Sequence, residues 1–543
     1  MFAAAKKDDT IYGRQAKVED SVGRFIPYTR LVDEEIIKTK EGYLLKIIKI
    51  EGVPFETADE IDINQRKTVR ATLLRGLSNS RFALYHHIIR REENSEQEGF
   101  FENDFCRALD NTYQERLASK GMVVNEQYIT VVRRPAQGTF GLMADLSRTL
   151  FTRIDRKIQE NQEIEDIKAL NEAAAHILTT LAPYKPRVLG VKKTDKGILG
   201  ENLSFLSYLV NLEKTDIRLP RMSIADYLPC KRISFGKEAF EVRGSAPGDV
   251  KLGAVLSLKE YADGTGPGML DSLLRLPHEF ILTQSFGFVD RQASLNSMRD
   301  TKRKMIAGEQ GATSLEEDLD NAIDDLASGR STFGEHHLTI TAIGKNSAEL
   351  DSVVSDCVSA FVNLGIVTAR EDINLEPAFW AQLPGNFSFT ARRSLISNAN
   401  FAGFASLHNF PAGRATGNHW GQAITRLETT SGTPYWFNFH ERDVGNFTVI
   451  GPTGYGKTVL LTFLNAQAQR LNPRTVYFDK DHGAEIYLRA AEVADIVLPG
   501  LDDEIAVFGP STPADVAARY KAQGASVVVV KDGAKGATVF DAA

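Results

Sequence analysis

The feature that most constrains the fold is an eight-residue stretch near the carboxyl end, GPTGYGKT at 451–458. It fits the pattern G-x-x-x-x-G-K-[ST], in which glycines let successive backbone N–H groups converge on one point and cradle an anion. The residues around it predict a short buried strand at Asn446–Ile450 and a helix at Lys457–Leu471 that Pro473 ends. Strand, loop and helix together predict the opening of an α/β nucleotide-binding domain.

Each part of this loop has a predicted role in holding ATP. We expect Lys457 to reach the β- and γ-phosphates as the catalytic cation, and the Thr458 hydroxyl to take a position on Mg²⁺. The predicted cofactor-binding residues are Gly451, Pro452, Thr453, Gly454, Tyr455, Gly456, Lys457 and Thr458.

A second strand, Arg474–Phe478, is predicted after the helix and ends at Asp479 and Asp481. A carboxylate at the carboxyl end of a strand beside a phosphate loop can hold Mg²⁺ or orient its water, so Asp479 is the predicted second metal ligand. The alternative for either aspartate is a cap of the following turn, and this alternative is stronger for Asp481.

Composition limits the class of protein. The chain has 543 residues, of which 43% are hydrophobic, enough for three or four packed domains. Its formal charge of −7 provides no global basic field, so no direct sequence-specific nucleic-acid binding is evident. Three widely spaced cysteines argue against a disulfide framework. No apolar run approaches the roughly 18 residues that a membrane span needs, so the sequence predicts a cytoplasmic or peripheral protein.

Two groups of polar residues are interpreted as structural. The adjacent pairs His86-His87 and His336-His337 fall in predicted strands, where neighbouring side chains point to opposite faces and cannot easily share a metal. A second group of basic residues is predicted to form a solvated face. Its members are Arg66, Lys67, Arg70, Arg75, Arg90 and Arg91.

Two regions before the loop repeat one order of elements, which suggests two ferredoxin-like α+β halves joined at Pro183–Gly200. The first half is predicted as strand Gly42–Ile50, helix Asp62–Leu77, strand Arg81–Arg91, a helical stretch to Leu117, strand Gln127–Arg134 and helix Leu142–Leu181. The second half is predicted as strand Val250–Leu258, helix Met269–Leu276, strand Glu279–Phe288, a long helical stretch, strand His336–Gly344 and helix Ala348–Leu364.

Two further segments carry predictions. Asp290–Gly329 predicts a helical hairpin whose basic first arm and acidic second arm attract each other. The hairpin is either an arm that docks on a partner or a surface hairpin whose two arms only pair with each other. Pro434–His440 predicts a strand that pairs with the strand before the phosphate loop.

From its start to about Ala490 the chain resembles the large ATPases of type IV secretion and conjugation systems, the CagE/TrbE/VirB family. The resemblance rests on the phosphate loop and on three further stretches, which are FDKDHGAEIYLRA at 478–490, HEFILTQSFGF at 278–288 and SLHNFPAGRATGNHWGQAI at 406–424. It implies an α+β N-terminal region that docks on inner-membrane channel proteins, followed by a RecA-like motor that hydrolyses ATP with Mg²⁺ and forms homo-oligomers, commonly hexamers. It also implies a cytoplasmic protein peripherally associated with the inner membrane. The cargo, DNA or protein, is left open.

In the family that the chain resembles, a second acidic motif and an arginine offered to a neighbouring subunit lie beyond the position of Ala490. The resemblance therefore implies that Asp479 and Asp481 match the acidic end of the second strand, while the parts that split ATP are not matched here. Residues 494–543 instead resemble a ribokinase-type sugar kinase, specifically a ketodeoxygluconate kinase. This second resemblance rests on ADIVLPG at 494–500, TPADVAARY at 512–520 and GASVVVVKDGAKGATVFD at 524–541.

These two resemblances predict that two reading frames were joined between Leu488 and Asp495; the alternative is a divergent continuation of the motor fold. The predicted fold class is an α+β N-terminal region followed by the truncated start of an α/β RecA-like P-loop NTPase domain. Domains are expected at 1–190 and 200–425 (both α+β), 431–490 (the truncated NTPase domain) and 494–543 (the sugar-kinase-like tail).

The predicted function is the energising, ATP-binding component of a type IV secretion system, which drives pilus assembly or substrate translocation and is inactive for hydrolysis in this form. The alternatives are a non-catalytic docking fragment of the secretion complex and a sugar kinase fragment.

Overall fold

A computed structural model describes residues 21–93, 97, 99–135, 154–195, 197–307, 313–478, 496–522 and 524–541. By its internal packing the chain divides into two compact units, which both mix α and β structure. Unit 1 comprises Met1–Arg91 and Val124–Phe410, and unit 2 comprises Glu92–Val123 and Pro411–Ala543. The predicted junction between Leu488 and Asp495 lies outside the described residues.

The strands are numbered in chain order. They are β1 Tyr28–Leu31, β2 Ile36–Thr39, β3 Leu44–Ile50, β4 Phe82–Glu92, β5 Val123–Arg133, β6 Pro186–Val188, β7 Val191–Thr194, β8 Gly197–Gly200, β9 Arg232–Phe235, β10 Phe240–Arg243, β11 Val250–Glu260, β12 Glu279–Phe288, β13 Phe333–Gly344, β14 Val367–Arg370, β15 Ser394–Ser397, β16 Thr425–Glu428, β17 Pro434–Phe437, β18 Val476–Phe478, β19 Ile496–Leu498, β20 Val527–Lys531 and β21 Ala537–Phe540.

The helices are numbered in the same way. They are α1 Glu60–Gly76, α2 Asp104–Lys120, α3 Ile154–Thr180, α4 Glu201–Asn211, α5 Ile224–Tyr227, α6 Arg291–Ala307, α7 Thr313–Ala327, α8 Ser347–Val362, α9 Leu375–Ala381, α10 Asn398–Phe404, α11 Lys457–Ala468, α12 Leu501–Phe508 and α13 Pro513–Ala522.

Unit 1 is built on one large sheet that contains the strands of both predicted halves. Its main path runs β1-β2-β3-β5-β4-β12-β13-β11-β10-β9, and the halves meet where β4 pairs antiparallel with β12. In each half the third strand lies next to the first and antiparallel to it, with Leu44 opposite Arg133 and Gly253 opposite Ile343. This is the order of a split β-α-β unit, in which the third strand lies between the first two and runs antiparallel to them. A fourth strand, β6 or β14, pairs antiparallel with the other edge of the first, so the strand order of each half agrees with the ferredoxin-like prediction. The four predicted domain boundaries stay predictions.

The predicted repeat of elements is confirmed in kind within the described residues, with one exception. Residues 142–153 of the predicted helix Leu142–Leu181 lie outside them. The predicted helix at Met269–Leu276 is only a 3₁₀ turn at Leu273–Arg275 in the structure. Leu276 has φ −63° and ψ 137° and is extended. Pro277 follows it, and a proline disfavours the helical conformation in the residue before it.

Helices cover both faces of the large sheet, which explains why its central strands are apolar along most of their length. Phe280 of β12 packs in one buried cluster with Leu73 of α1 and Phe361 of α8. The next residue, Ile281, packs in the cluster on the other face with Trp380 of α9. Successive side chains alternate between the two faces, so β12 contributes to both clusters.

The predicted solvated basic face is wrong for three of its members, because Arg70, Arg90 and Arg91 are buried. Strand β4 is covered on both faces, so its arginines need acceptors inside the protein. Arg90 Nη1 donates to Asn125 Oδ1 over 2.8 Å, and Arg91 Nε donates to Glu126 Oε2 over 3.1 Å. The other members, Arg66, Lys67 and Arg75, are half-buried or exposed.

The two histidine pairs lie in β4 and β13, as predicted, and one member of each pair belongs to a buried polar row across neighbouring strands. His86 is within 3.3 Å of Gln127 Oε1 and 3.1 Å of Gln284 Nε2, and His336 is 3.2 Å from Gln284 Oε1. Burial lowers the pKa of His86 to about 4 and that of His336 to about 3, so both are neutral near pH 7. Among the described residues no group of three or more His, Cys, Asp or Glu is placed to hold a metal ion.

The predicted helical hairpin is confirmed as α6 and α7. The oppositely charged arms meet at Lys302 Nζ and Asp320 Oδ1, 2.5 Å apart. An apolar seam that includes Leu295, Met298 and Leu326 joins the arms beneath this pair. These contacts favour a surface hairpin whose arms pair with each other over an arm that docks on a partner.

Unit 2 contains a four-stranded sheet in the order β18-β19-β20-β21. The first three strands are parallel and the last is antiparallel. The described residues between 496 and 541 contribute β19, α12, α13, β20 and β21. Their apolar side chains, which include Val516, Tyr520 and Val528, form one buried cluster.

Two predicted strand arrangements in unit 2 are wrong. Asn446–Ile450 forms no strand and is largely exposed, with Ile450 89% accessible. Strand β17 pairs with β16 and not with this segment. A local turn decides the pairing, because Thr429 and Thr433 hydrogen-bond backbone to backbone over 2.9 Å and Gly432 adopts φ +75°. Closing a hairpin with a short turn costs less conformational entropy than pairing two strands across a longer loop.

Candidate functional site

The loop at 451–458 connects an extended segment to the start of α11, and two glycines give it its shape. Gly454 has φ +85° and Gly456 has φ +79°, a backbone conformation that side chains with a Cβ rarely adopt. No atom lies within 4 Å of where a Cβ would be at either position, so the face of the loop is open. The first helical hydrogen bond runs from the Leu460 N–H to the Gly456 carbonyl over 2.9 Å.

The amino end of α11 is available to an anion. Its cap residue, Gly456, has no side chain to accept from the first N–H groups, and the first turn holds no acidic residue. The first N–H groups of a helix have no partner within the helix, and the helix dipole adds partial positive charge there. The helix end therefore carries backbone donors next to the open face of the loop.

Lys457 is the first residue of α11 and folds back over the loop. Its Nζ donates to the carbonyl oxygens of Gly451 and Pro452, each over 2.8 Å. A phosphate oxygen attracts the ammonium more strongly than a carbonyl oxygen does, because the phosphate carries a full negative charge and the carbonyl is neutral. The ammonium can thus exchange these carbonyls for phosphates. Backbone donors, an open face and this cation together fit a triphosphate.

The other predicted site residues are only partly placed by the structure. Thr458 is exposed on the first turn of α11, next to Lys457, and its predicted role on Mg²⁺ stays a prediction. Tyr455 is 80% exposed at the tip of the loop. Asp479 and Asp481 lie outside the described residues, so their predicted roles stay predictions.

Sequence reasoning missed the element that supports α11 from the side. Helix α2 belongs to unit 2 although it lies more than 300 positions earlier in the chain, and it packs against α11. The rings of Tyr113 and Phe463 are 4.7 Å apart, and Asp110 pairs with Arg470 over 3.1 Å. The charges of Asp110 and Arg470 are visible in the sequence, but nothing in the sequence pairs them.

A cleft of about 380 Å³ follows α11 on another side. Its walls include the aromatic side chains of Trp420, Phe439 and Phe447, together with Leu464 of α11 and Val476 of β18. The α11 residues that line it are Leu461, Leu464, Asn465 and Ala468, which begin one turn beyond the phosphate loop. The cleft is therefore separate from the loop opening at the amino end of the helix.

Two family models match the chain. The model described as "CagE, TrbE, VirB family, component of type IV transporter system" matches residues 187–392. The model described as "Type IV secretion system ATPase VirB4/TrbE, N-terminal domain" matches residues 35–140.

Curated relatives extend this similarity through the phosphate loop. The chain is 38% identical over 474 residues to the type IV secretion system protein virB4 of Bartonella quintana, covering 87% of this chain and 60% of that protein. It is 38% identical over 466 residues to virB4 of Bartonella henselae, covering 86% and 59% respectively. It is 32% identical over 506 residues to PtlC of Bordetella pertussis, covering 89% and 60%. The chain thus spans about 60% of the length of the curated relatives it matches.

Among solved structures, the crystal structure of a PfkB protein from Polaromonas sp. JS666 matches 16% of this chain and 32% of that chain at 26% identity. The TM-score is 0.14, which is too low to support an argument about fold or function. The resemblance of residues 494–543 to a sugar kinase therefore stays a prediction. None of the helices in the described part of the chain combines the length and apolar character that a bilayer crossing needs.

Proposed function

Because this chain belongs to the CagE/TrbE/VirB family of type IV transporter components, we propose that it is the ATP-binding, energising component of a type IV secretion system. The observation that carries the proposal is the open loop Gly451–Thr458 at the amino end of α11, with its two left-handed glycines and its lysine. Relatives named for type IV secretion support the setting.

In this proposal each group at the loop has a defined role in holding Mg·ATP. The backbone N–H groups of the loop and of the first turn of α11 bind the β-phosphate. Lys457 moves its ammonium from the carbonyls of Gly451 and Pro452 to the β- and γ-phosphates. Thr458 directs its hydroxyl to Mg²⁺, and Asp479 completes the metal site from the carboxyl end of β18. The bound nucleotide supplies the phosphoanhydride whose cleavage releases free energy.

The finer part of the proposal concerns the catalytic step. The loop offers amides, an ammonium and a hydroxyl, which bind phosphate, but none of these groups takes a proton from an attacking water. We therefore propose that this chain holds Mg·ATP without turning it over. We also propose that the nucleotide-binding domain is of the RecA-like class.

The setting proposed for the chain follows the family. The N-terminal α/β region would dock on inner-membrane channel proteins of the secretion system, the chain would assemble with copies of itself, as hexamers, and it would act at the cytoplasmic side of the inner membrane. The support is the match of both family models to the region before the loop.

A competition titration tests the proposed function. We expect a fluorescent ATP analogue to bind the purified chain saturably in the presence of Mg²⁺, and ATP and ADP to displace it. AMP should displace it at least about 100-fold less well, because the loop amides and Lys457 hold the β-phosphate that AMP lacks. Equal displacement by AMP and ATP would contradict the proposed phosphate grip.

Measuring phosphate release from ATP tests the proposal that the chain binds Mg·ATP without hydrolysing it. We expect the wild-type chain to release no more phosphate from ATP than its Lys457→Ala variant. Turnover above that variant would show that the chain splits ATP and would refute the non-hydrolysing form of the proposal while leaving nucleotide binding intact.

A further inference from the structure

The insertion Glu92–Val123 leaves the carboxyl end of β4, forms α2 and returns to the amino end of β5. It is anchored along its length within unit 2. Gln97 Nε2 donates to the Ala423 carbonyl over 2.6 Å, and the Tyr113 hydroxyl donates to the Arg426 carbonyl over 2.9 Å. The insertion is therefore part of the packed unit that contains the phosphate loop.

One face of α2 fits one face of α11. On α2 the contacting residues are Cys106, Asp110 and Tyr113, and on α11 and the turn after it they are Phe463, Ala466 and Arg470. Both sets have spacings of three and four residues, which place side chains on one face of a helix. The two stripes therefore form a helix-to-helix interface and not a single chance contact.

The ion pair at the end of this interface is almost completely buried. The Asp110 side chain is 10% exposed and the Arg470 side chain 1% exposed. The Arg470 guanidinium also lies 5.1 Å from the centre of the Phe101 ring and donates to Gln467 Oε1 over 3.1 Å. A Cβ at Gly99 would lie 3.2 Å from Arg470 Cδ, so the insertion is closely fitted around this side chain. Burial lowers the pKa of Arg470, and the charge of Asp110 opposes that shift.

Arg470 and Lys457 lie at opposite ends of one continuous helical segment, because a 3₁₀ turn at Gln469–Leu471 extends α11. They are thirteen positions apart, which corresponds to about 20 Å along a helix axis. Lys457 has two alternative sets of acceptors, the loop carbonyls and a phosphate chain, so ligand binding changes the contacts at one end of this segment. Asp110 holds the other end.

We propose that Asp110 and Arg470, with the ring contact between Tyr113 and Phe463, are positioning residues for the phosphate loop, and that nucleotide binding at the loop is coupled through α11 to the stability of α2. This inference rests on the proposed function of the loop and adds a regulatory contact to it. Coupling of this kind is reciprocal. If nucleotide binding changes the affinity of a partner for the insertion by some factor, then the partner changes the affinity for nucleotide by the same factor.

Hydrogen exchange followed by mass spectrometry tests the coupling. In the wild-type chain we expect saturating Mg·ATP to slow exchange of the α2 amides, Asp104–Lys120, about threefold or more. In Asp110→Asn this nucleotide-dependent slowing should fall below twofold, because the charge that ties α2 to Arg470 is gone. The matched control is Asp104→Asn on the same helix, whose side chain is 92% exposed and should leave the slowing as in the wild type.

The same hydrogen-exchange measurement without nucleotide tests the positioning role independently of the proposed function. Asp110→Asn should speed exchange in both α2 and Lys457–Ala468 relative to Asp104→Asn. Tyr113→Leu, which removes the ring contact with Phe463 and the hydrogen bond to the Arg426 carbonyl but keeps the ion pair, should do the same to a smaller extent if Asp110→Asn does not fold.

The outcomes are distinct. Nucleotide binding with unchanged α2 exchange overturns the coupling and leaves the proposed function standing. Absence of nucleotide binding overturns the proposed function, and unchanged α11 exchange in the nucleotide-free arm overturns the positioning role independently.

Discussion

Replacing Lys457 with alanine is expected to weaken Mg·ATP binding by about 100-fold. The ammonium is the one side-chain cation of the loop, and a hydrogen bond to a charged group contributes roughly 1.5–3 kcal/mol, where 1.4 kcal/mol is a factor of ten in affinity. The fold should not suffer, because among the described residues Lys457 Nζ hydrogen-bonds only to the carbonyls of Gly451 and Pro452 on the accessible loop.

Calorimetric titration of Mg·ATP and thermal unfolding of the same samples measure both parts of this expectation. The matched control is Lys535→Ala, which removes an 81% exposed lysine from unit 2 and should bind Mg·ATP like the wild type. Wild-type affinity in Lys457→Ala would contradict the assignment of the loop. A large fall in its melting temperature would instead assign the lysine a structural role.

Replacing Glu126 with glutamine is expected to lower the free energy of unfolding by roughly 3 kcal/mol at pH 7. Glu126 accepts from Lys49 Nζ over 2.7 Å and from Arg91 Nε over 3.1 Å, and its side chain is only 18% exposed. Burial raises the pKa of Glu126, but the charges of Lys49 and Arg91 outweigh burial and bring the pKa to about 2. Glutamine keeps the shape and removes the negative charge that faces Lys49 and Arg91.

The pH dependence of this effect has a definite sign. The folded pKa of about 2 lies below the ordinary value of 4.5, so the carboxylate stabilises the fold fully above pH 4.5 and loses that contribution as the pH falls toward 2. The difference in unfolding free energy between wild type and Glu126→Gln should therefore shrink to less than half by pH 3. Urea denaturation at pH 7 and pH 3 measures it, with the exposed Glu115→Gln as control. An equal difference at both pH values would refute the ion-pair account.

Much of the secondary structure could be predicted because local patterns determine it. Strand β12 has the predicted bounds, Glu279–Phe288, since a long apolar run between two turn signals has few alternatives. Helix α11 begins at the predicted residue, because the loop pattern fixes where it starts. The loop residues themselves required no long-range information, so the candidate site was largely predictable.

The predictions that were wrong or missing concern features that depend on residues far away in the chain. Burial of Arg90 depends on helices that cover β4 from both sides. The contact of Asp110 with Arg470 joins residues 360 positions apart and has no local signal. Asn446–Ile450 has strand-like residues, but in the described part of the chain it has no neighbouring strand to pair with.

The most direct test of the central claim, that the loop at 451–458 holds the phosphates of ATP, is covalent mapping with an acyl-phosphate analogue of ATP. Such a reagent transfers its acyl group to a lysine amine beside the γ-phosphate. We predict that Lys457 is acylated, that excess ATP prevents the labelling, and that trypsin then releases one peptide from Asp443 to Arg470, since cleavage after Lys457 is blocked. Labelling of other lysines that ATP suppresses, with Lys457 unmodified, would contradict the claim.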